Sequence, residues 1–181
     1  QAGSSCVAKL RNSGFEGEIT LIGAETAPPY QRPPLSKGYL LGEMRLERMY
    51  LRPESFYSEN GIELLLGAEV TGVDAEAKLI SVGGRDLAYD DLVLTTGSAP
   101  RRLPSAIGGD LGGVYTVRTL DDVEAMEPEF ADGKRVLIIG GGYIGLEAAA
   151  VAAKKGVSVT LVEMADRILQ RVAAPETSDF F

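Results

Sequence analysis

The sequence contains no histidine and no tryptophan, and its only cysteine is Cys6. Without histidine the commonest general base is missing, which excludes Ser-His-Asp chemistry from this stretch. A lone thiol forms no intrachain disulfide. With no histidine beside it, neither a redox-active cysteine pair nor a Cys/His zinc site can be assembled, so no metal site is expected. Long apolar runs are missing too, and no basic segment followed by an apolar one stands at the N-terminus. A cytoplasmic location with no membrane partner is therefore the default expectation. Positive charge is scarce: 18 Lys and Arg face 26 Asp and Glu, for a net charge of −8. That balance argues against nucleic acid or an anionic membrane as the main partner.

Chemistry in which bound cofactors carry the reactive atoms, such as hydride transfer, stays open. An apolar fraction of 45% and a charged fraction of 24% predict a real core, and 181 residues suffice for one large domain or two small ones. The chain begins at Gln1 without a methionine and stops at Phe180-Phe181 in mid-pattern, which predicts a piece of a longer protein.

The most informative stretch runs over residues 136–163: an apolar strand, a glycine-rich turn, an alanine-rich helix, a second apolar strand and a terminal acid. Gly140, Gly142 and Gly145 supply a Gly-x-Gly-x-x-Gly spacing between strand and helix. In that setting the first glycine permits the tight turn, the second lets a pyrophosphate approach the backbone, and the third lets the helix pack closely on the strand. The helix N-terminus then offers N–H groups and partial positive charge to phosphates. Glu163 follows about 20 residues on, where a carboxylate binds both hydroxyls of an adenosine ribose. It accepts from free 2′ and 3′ hydroxyls and repels a 2′-phosphate, favouring NADH over NADPH, although Arg167 stands close enough in sequence to soften the preference.

The beginning of the chain repeats this order. Residues 1–14 read as a helix, 19–23 as a strand, and Glu25 follows. Aligning Ala2-Gly3 with Ile144-Gly145 places Glu25 and Glu163 comparably, so two dinucleotide-binding units are expected, with Gly3 the last glycine of a fingerprint whose start is missing. Residues 27–37 carry four prolines and should form a stiff extended loop holding Arg32 and Lys37. A short helix is expected over 37–41 and another from Pro53 to Glu59. Strands are expected over 62–66, 68–73, 78–82 and 87–89, in an antiparallel meander, and a short buried strand over 92–95. Residues 101–113 make the best linker, and Thr119 can cap a helix reaching Met126.

Four segments stand in the order Gln31-Arg32-Pro33-Pro34-Leu35-Ser36-Lys37, Thr95-Thr96-Gly97, Arg118-Thr119-Leu120-Asp121-Asp122 and Gly140-Gly141-Gly142-Tyr143-Ile144-Gly145-Leu146-Glu147. In these the chain resembles the FAD-dependent pyridine nucleotide-disulfide oxidoreductase superfamily, specifically the NADH-dependent ferredoxin, putidaredoxin and rubredoxin reductases. The resemblance implies an α/β fold of two incomplete Rossmann-like units, FAD-binding over 1–108 and NAD-binding over 109–181, with a small antiparallel β meander in the first. It implies FAD contacts from Ala2, Gly3, Glu25, Arg32, Lys37, Val70 and Arg118, and it adds Thr96, Gly97, Tyr143 and Ile144 to the cofactor-binding set. Lys37 and Glu147 would meet as an ion pair near the flavin, where the cation gives electrostatic assistance to hydride transfer.

Relative to that pattern Thr95 replaces a frequent alanine, and Ala24 stands where an acid is common, leaving Glu25 to take the ribose. The resemblance implies that this stretch is without the first FAD strand, a later strand carrying an Asp to the flavin, the rest of the NAD unit and a C-terminal interface domain. The implied activity is electron transfer from NADH through FAD to a small iron–sulfur protein. An NADH oxidase or CoA-disulfide reductase on the same fold is one alternative, the latter disfavoured because Cys6 lies in the first helix. A non-catalytic nucleotide-sensing flavoprotein of the apoptosis-inducing-factor type is the other, disfavoured by the intact Lys37 and Glu147.

Overall fold

The computed structural model describes residues 1–181 as a mixed α/β chain in two compact units: residues 1–31 with 46–98, and residues 32–45 with 99–181. In the first unit, helix α1 (Ala2–Asn12) precedes strand β1 (Ile19–Ile22), and helix α2 (Glu54–Glu59) precedes strand β2 (Ile62–Leu65). The two strands pair in parallel, Ile19 opposite Ile62 and Ile22 opposite Leu65. Val7, Ile19, Tyr57 and Ile62 form the buried cluster, flanked by Leu10, Leu21, Phe56 and Leu64. Burying the Tyr57 ring obliges its hydroxyl to find a partner, which it does in the equally buried Ser4 Oγ at 3.0 Å.

Strands β3 (Val70–Asp74), β4 (Leu79–Val82) and β5 (Arg85–Ala88) form an antiparallel meander in the order β3-β4-β5, turned at its tightest by Gly83 and Gly84, both at positive φ. The expected strand over 62–66 is not part of it, because β2 pairs with β1 instead. The expected strand over 92–95 does not form. Val93 and Leu94 are exposed, and an apolar run becomes a strand only where a neighbouring strand takes its N–H and C=O groups.

In the second unit, helix α3 (Leu120–Met126) starts from a capping box in which Thr119 Oγ1 accepts from the Asp122 N–H while the Asp122 carboxylate accepts from the Thr119 N–H. Strand β6 (Arg135–Ile139), helix α4 (Tyr143–Lys154) and strand β7 (Ser158–Val162) follow, and β6 and β7 pair in parallel with Arg135 opposite Ser158. Alternation along both strands leaves Leu137, Ile139 and Val162 on an exposed face. A last helix, α5 (Pro175–Phe180), closes the chain. No helix is long and apolar enough to cross a membrane.

The proline-rich loop differs from expectation. Pro33–Ser36 winds into a 3-10 helix, because proline's fixed φ suits a first helical turn as well as an extended chain, and the helix expected over 37–41 is reduced to turns. Leu35 and Leu40 are buried, which anchors the part of the loop from Arg32 onward within the second unit.

The helices α1 and α4 end alike. Gly14 and Gly156 take positive φ, and the next N–H in each case reaches back into the last turn, Phe15 to the Leu10 carbonyl and Val157 to that of Ala152. In the first unit the turn after α1 is fastened by Arg11. Its Nε donates to the Asn60 carbonyl at 2.7 Å, Nη1 to those of Phe15 at 2.7 Å and Gly17 at 2.8 Å, and Nη2 to Gly61 at 2.8 Å. One planar fork thus ties the turn before β1 to the turn before β2. Arg11→Ala is expected to lower stability by about 2 kcal/mol in urea unfolding, since it orphans several carbonyls at once. Arg11→Lys should recover less than half of that loss, because a point charge cannot span four acceptors; full recovery by lysine would refute the staple.

Candidate functional site

In the second unit the chain leaves β6 at Gly140, whose φ of +111° is open to glycine and strained for other residues. Its N–H still pairs with the Val162 carbonyl at 2.8 Å, so the turn begins inside the sheet ladder. A Cβ at Gly145 would lie 2.0 Å from the Gly140 carbonyl oxygen and 3.4 Å from Ile138 Cγ2, so only glycine lets α4 begin so close to the strand. Gly142, the N-cap of α4, has nothing within 4 Å of its missing Cβ, and the helix carries no side-chain cap. Tyr143 and Ile144 are more than half exposed beside this opening. A close helix–strand packing, an open glycine and an uncapped N-terminus together form a cradle that fits a pyrophosphate.

Glu163 lies directly after β7 and turns its carboxylate onto this loop. Oε2 accepts from the Gly141 N–H at 2.6 Å, and Oε1 from the Ala165 N–H at 2.8 Å. The Ala165 and Gly141 backbone donors hold the carboxyl below the usual carboxylate range, with a smaller contribution from Arg171. Arg167 is occupied elsewhere: its guanidinium donates to Ser178 Oγ and to the Gln170 and Ala173 carbonyls. Gly141 belongs to the site although the fingerprint spacing leaves its position free. A Cβ there would stand 2.6 Å from Ile168 Cγ2 and 3.3 Å from Glu163 Oε2, and its carbonyl accepts from the Leu169 N–H. The run of three glycines was the available signal.

The second unit also contains a pocket of about 280 Å³ lined by Arg32, Lys37, Arg118, Ile144, Glu147 and their neighbours Pro33, Leu35, Ser36 and Val117. Lys37 and Glu147, expected to pair, do so with Nζ 2.8 Å from Oε1. The other carboxylate oxygen accepts from Ser36 Oγ at 2.5 Å, a contact the sequence does not announce. Arg32 Nη1 donates to the Arg118 carbonyl at 2.6 Å, which joins the proline-rich loop to the residue before the α3 cap. Three cations around one carboxylate make a donor-rich hollow suited to an anionic or electron-rich ligand.

In the first unit, a Cβ at Gly3 would lie 2.9 Å from both Leu21 Cδ1 and Thr95 Oγ1. Gly3 therefore serves α1 and β1 as Gly145 serves α4 and β6, by letting helix and strand meet. Its neighbour Ala2 opens the helix. Thr96 and Gly97 lie in the irregular segment just after Thr95, Gly97 at positive φ. The hydroxyl of the buried Tyr30 donates to Glu25 Oε2 and steadies that carboxylate. Val70 opens β3 opposite Val82, at a break in the ladder.

The profile of the pyridine nucleotide-disulphide oxidoreductase family matches residues 1–181. The chain is 48% identical over 181 residues to the 5,5'-dehydrodivanillate O-demethylase ferredoxin reductase subunit of a Sphingobium species, covering 99% of the chain and 44% of that relative. It is 44% identical over 183 residues to putidaredoxin reductase CamA of Pseudomonas putida, covering 99% of the chain and 43% of the relative. The crystal structure of a covalent putidaredoxin reductase–putidaredoxin complex superposes with a TM-score of 0.92 at 44% identity, over 99% of the chain and 44% of that one. The chain thus spans under half the length of the relatives it matches. A family model that matches residues 1–181 means that the chain belongs to the pyridine nucleotide-disulphide oxidoreductase family.

Proposed function

We propose that the chain is part of an FAD-containing, NADH-dependent reductase that passes electrons to a small iron–sulfur protein of the ferredoxin or rubredoxin type. The observation that carries this reading is the Lys37–Glu147 pair, set in a cationic pocket of the same unit that holds the glycine loop and Glu163. We assign the second unit's glycine loop, with Tyr143, Ile144 and Glu163, to NADH. To FAD we assign Ala2, Gly3, Glu25, Val70, Thr96 and Gly97 of the first unit, and Arg32, Lys37 and Arg118 of the second. The corresponding domains are FAD-binding over 1–108 and NAD-binding over 109–181, and the place of action is the cytoplasm. The names of the relatives support the acceptor class: one is a ferredoxin reductase subunit, another a putidaredoxin reductase.

FAD, when bound, supplies the chemistry that links a two-electron hydride donor to a one-electron acceptor. The chain's own residues orient and stabilise. Lys37 offers a fixed positive charge where negative charge gathers, and Glu147 holds that ammonium in place. Arg32 and Arg118 add donors for phosphate or ring oxygens.

In the full-length protein, NADH should bleach the flavin rapidly, with sustained turnover only when an iron–sulfur acceptor is added. Slow bleaching with a long-lived charge-transfer band would instead support a nucleotide sensor. Turnover with dioxygen alone would support an oxidase.

Glu163 decides between the two nicotinamide cofactors. Glu163→Ala is expected to lower the NADH-over-NADPH ratio of kcat/KM by about tenfold or more, because the 2′-phosphate no longer meets a carboxylate; an unchanged ratio would remove Glu163 from the ribose. Because its carboxyl is held below the usual carboxylate range, Glu163 protonates only at lower pH than an ordinary carboxylate does. NADH affinity should therefore be flat from neutrality to about pH 5 and weaken only at lower pH. Titration of NADH against the holoprotein across that range checks the sign: affinity already falling near pH 6 would contradict it.

A further inference from the structure

We propose that Ser36 is a positioning residue for hydride transfer, acting through Glu147 to hold Lys37. This rests on the function proposed above for the Lys37–Glu147 pair.

The pair by itself is a poor positioning device. The Lys37 side chain is 49% exposed and that of Glu147 27% exposed, and ion pairs so open to water are weak and wander. Apart from Glu147, Lys37 Nζ has the Pro33 carbonyl at 3.4 Å, too long to fix a four-carbon chain. Ser36 is different: it is 4% exposed, and its Oγ donates to Glu147 Oε2 at 2.5 Å.

The backbone that carries Ser36 is stiff. It is the last residue of the 3-10 helix begun by Pro33 and Pro34, whose rings lock φ, and Leu35 beside it is 2% exposed. The chain then turns at Lys37, with φ −132° and ψ −115°, and the Lys37 N–H returns to the Pro34 carbonyl. Consecutive side chains diverge along a regular strand. Here that turn brings Ser36 and Lys37 to the two oxygens of one carboxylate. The buried hydroxyl fixes one oxygen of Glu147, the other oxygen then has a set direction, and the mobile ammonium follows it.

Removing the hydroxyl leaves the charges in place and frees the carboxylate to rotate. In the full-length holoprotein, Ser36→Ala should slow single-turnover bleaching of the flavin by NADH about tenfold, with KM for NADH and FAD retention unchanged. The midpoint potential of the bound flavin should move negative, since a loosened cation stabilises added electrons less. Placed on Glu147→Gln, which is itself slow, Ser36→Ala should add no further slowing and no further shift in potential, because its only route is through that carboxylate. Wild-type bleaching and potential in Ser36→Ala beside a slow Glu147→Gln would overturn the role of Ser36 and leave the proposed function standing. Additive losses in the double variant would also overturn it, marking a packing defect. If Glu147→Gln bleaches like wild type with FAD bound, the reading of the ion pair fails, and the role of Ser36 fails with it.

Discussion

A helix can pack closely on a strand only if nothing stands between them, and after β6 the missing Cβ of Gly145 makes that possible. At Gly145 the space is filled by the Gly140 carbonyl, at Gly3 by Leu21 and Thr95. At Gly145 the obstacle is backbone, so any larger residue there would push the helix off the sheet. The rest of each unit depends on that approach. It sets where α4 points its free N–H groups, where Gly142 opens, and which turn of the helix carries Glu147. The C-terminal ends repeat the logic with Gly14 and Gly156, so each helix is bounded by glycines for opposite reasons: close contact at the start, positive φ at the end.

Much of this was legible in the sequence because the relevant signals are local. Gly140, Gly142 and Gly145 lie within one turn and its helix, Thr119 and Asp122 within one capping box, and Gly83-Gly84 within one hairpin. What was not legible depends on partners distant in the chain. Residues 92–95 have the composition of a buried strand, yet a strand exists only in a ladder, and composition does not say whether the ladder is there. The segment 62–66 was rightly a strand, but its parallel pairing with β1 was hidden because a neighbour in space is not a neighbour in sequence. Ser36 was hidden for the same reason: its partner Glu147 lies more than a hundred residues away, and a serine beside a lysine carries no signal by itself. Gly141 was hidden differently, since the fingerprint spacing treats it as free while Ile168 packs where its side chain would be.

The proline-rich loop shows how a correct physical premise can lead to an incorrect element. Four prolines do stiffen residues 27–37, but stiffness does not choose between an extended chain and a tight helix, because the same φ serves both. Burial of Leu35 and Leu40 favours the helix here, and that choice matters chemically. An extended segment would send Ser36 and Lys37 to opposite sides. The 3-10 turn sends both to Glu147.

Electrostatics separates the two halves of the site. The chain as a whole is acidic, at −8, yet the pocket gathers Arg32, Lys37 and Arg118 around a single carboxylate. Mutual repulsion there is moderated because Lys37 is paired with Glu147 and Arg32 spends a donor on the Arg118 carbonyl. The glycine loop has the reverse arrangement: backbone N–H groups and a helix N-terminus faced by the carboxylate of Glu163. A cationic hollow accepts electron-rich groups broadly, whereas a carboxylate set against backbone donors accepts hydroxyls and rejects a further phosphate. The two kinds of charge thus sit at different places in one unit, the cations around Glu147 and the carboxylate of Glu163 on the glycine loop.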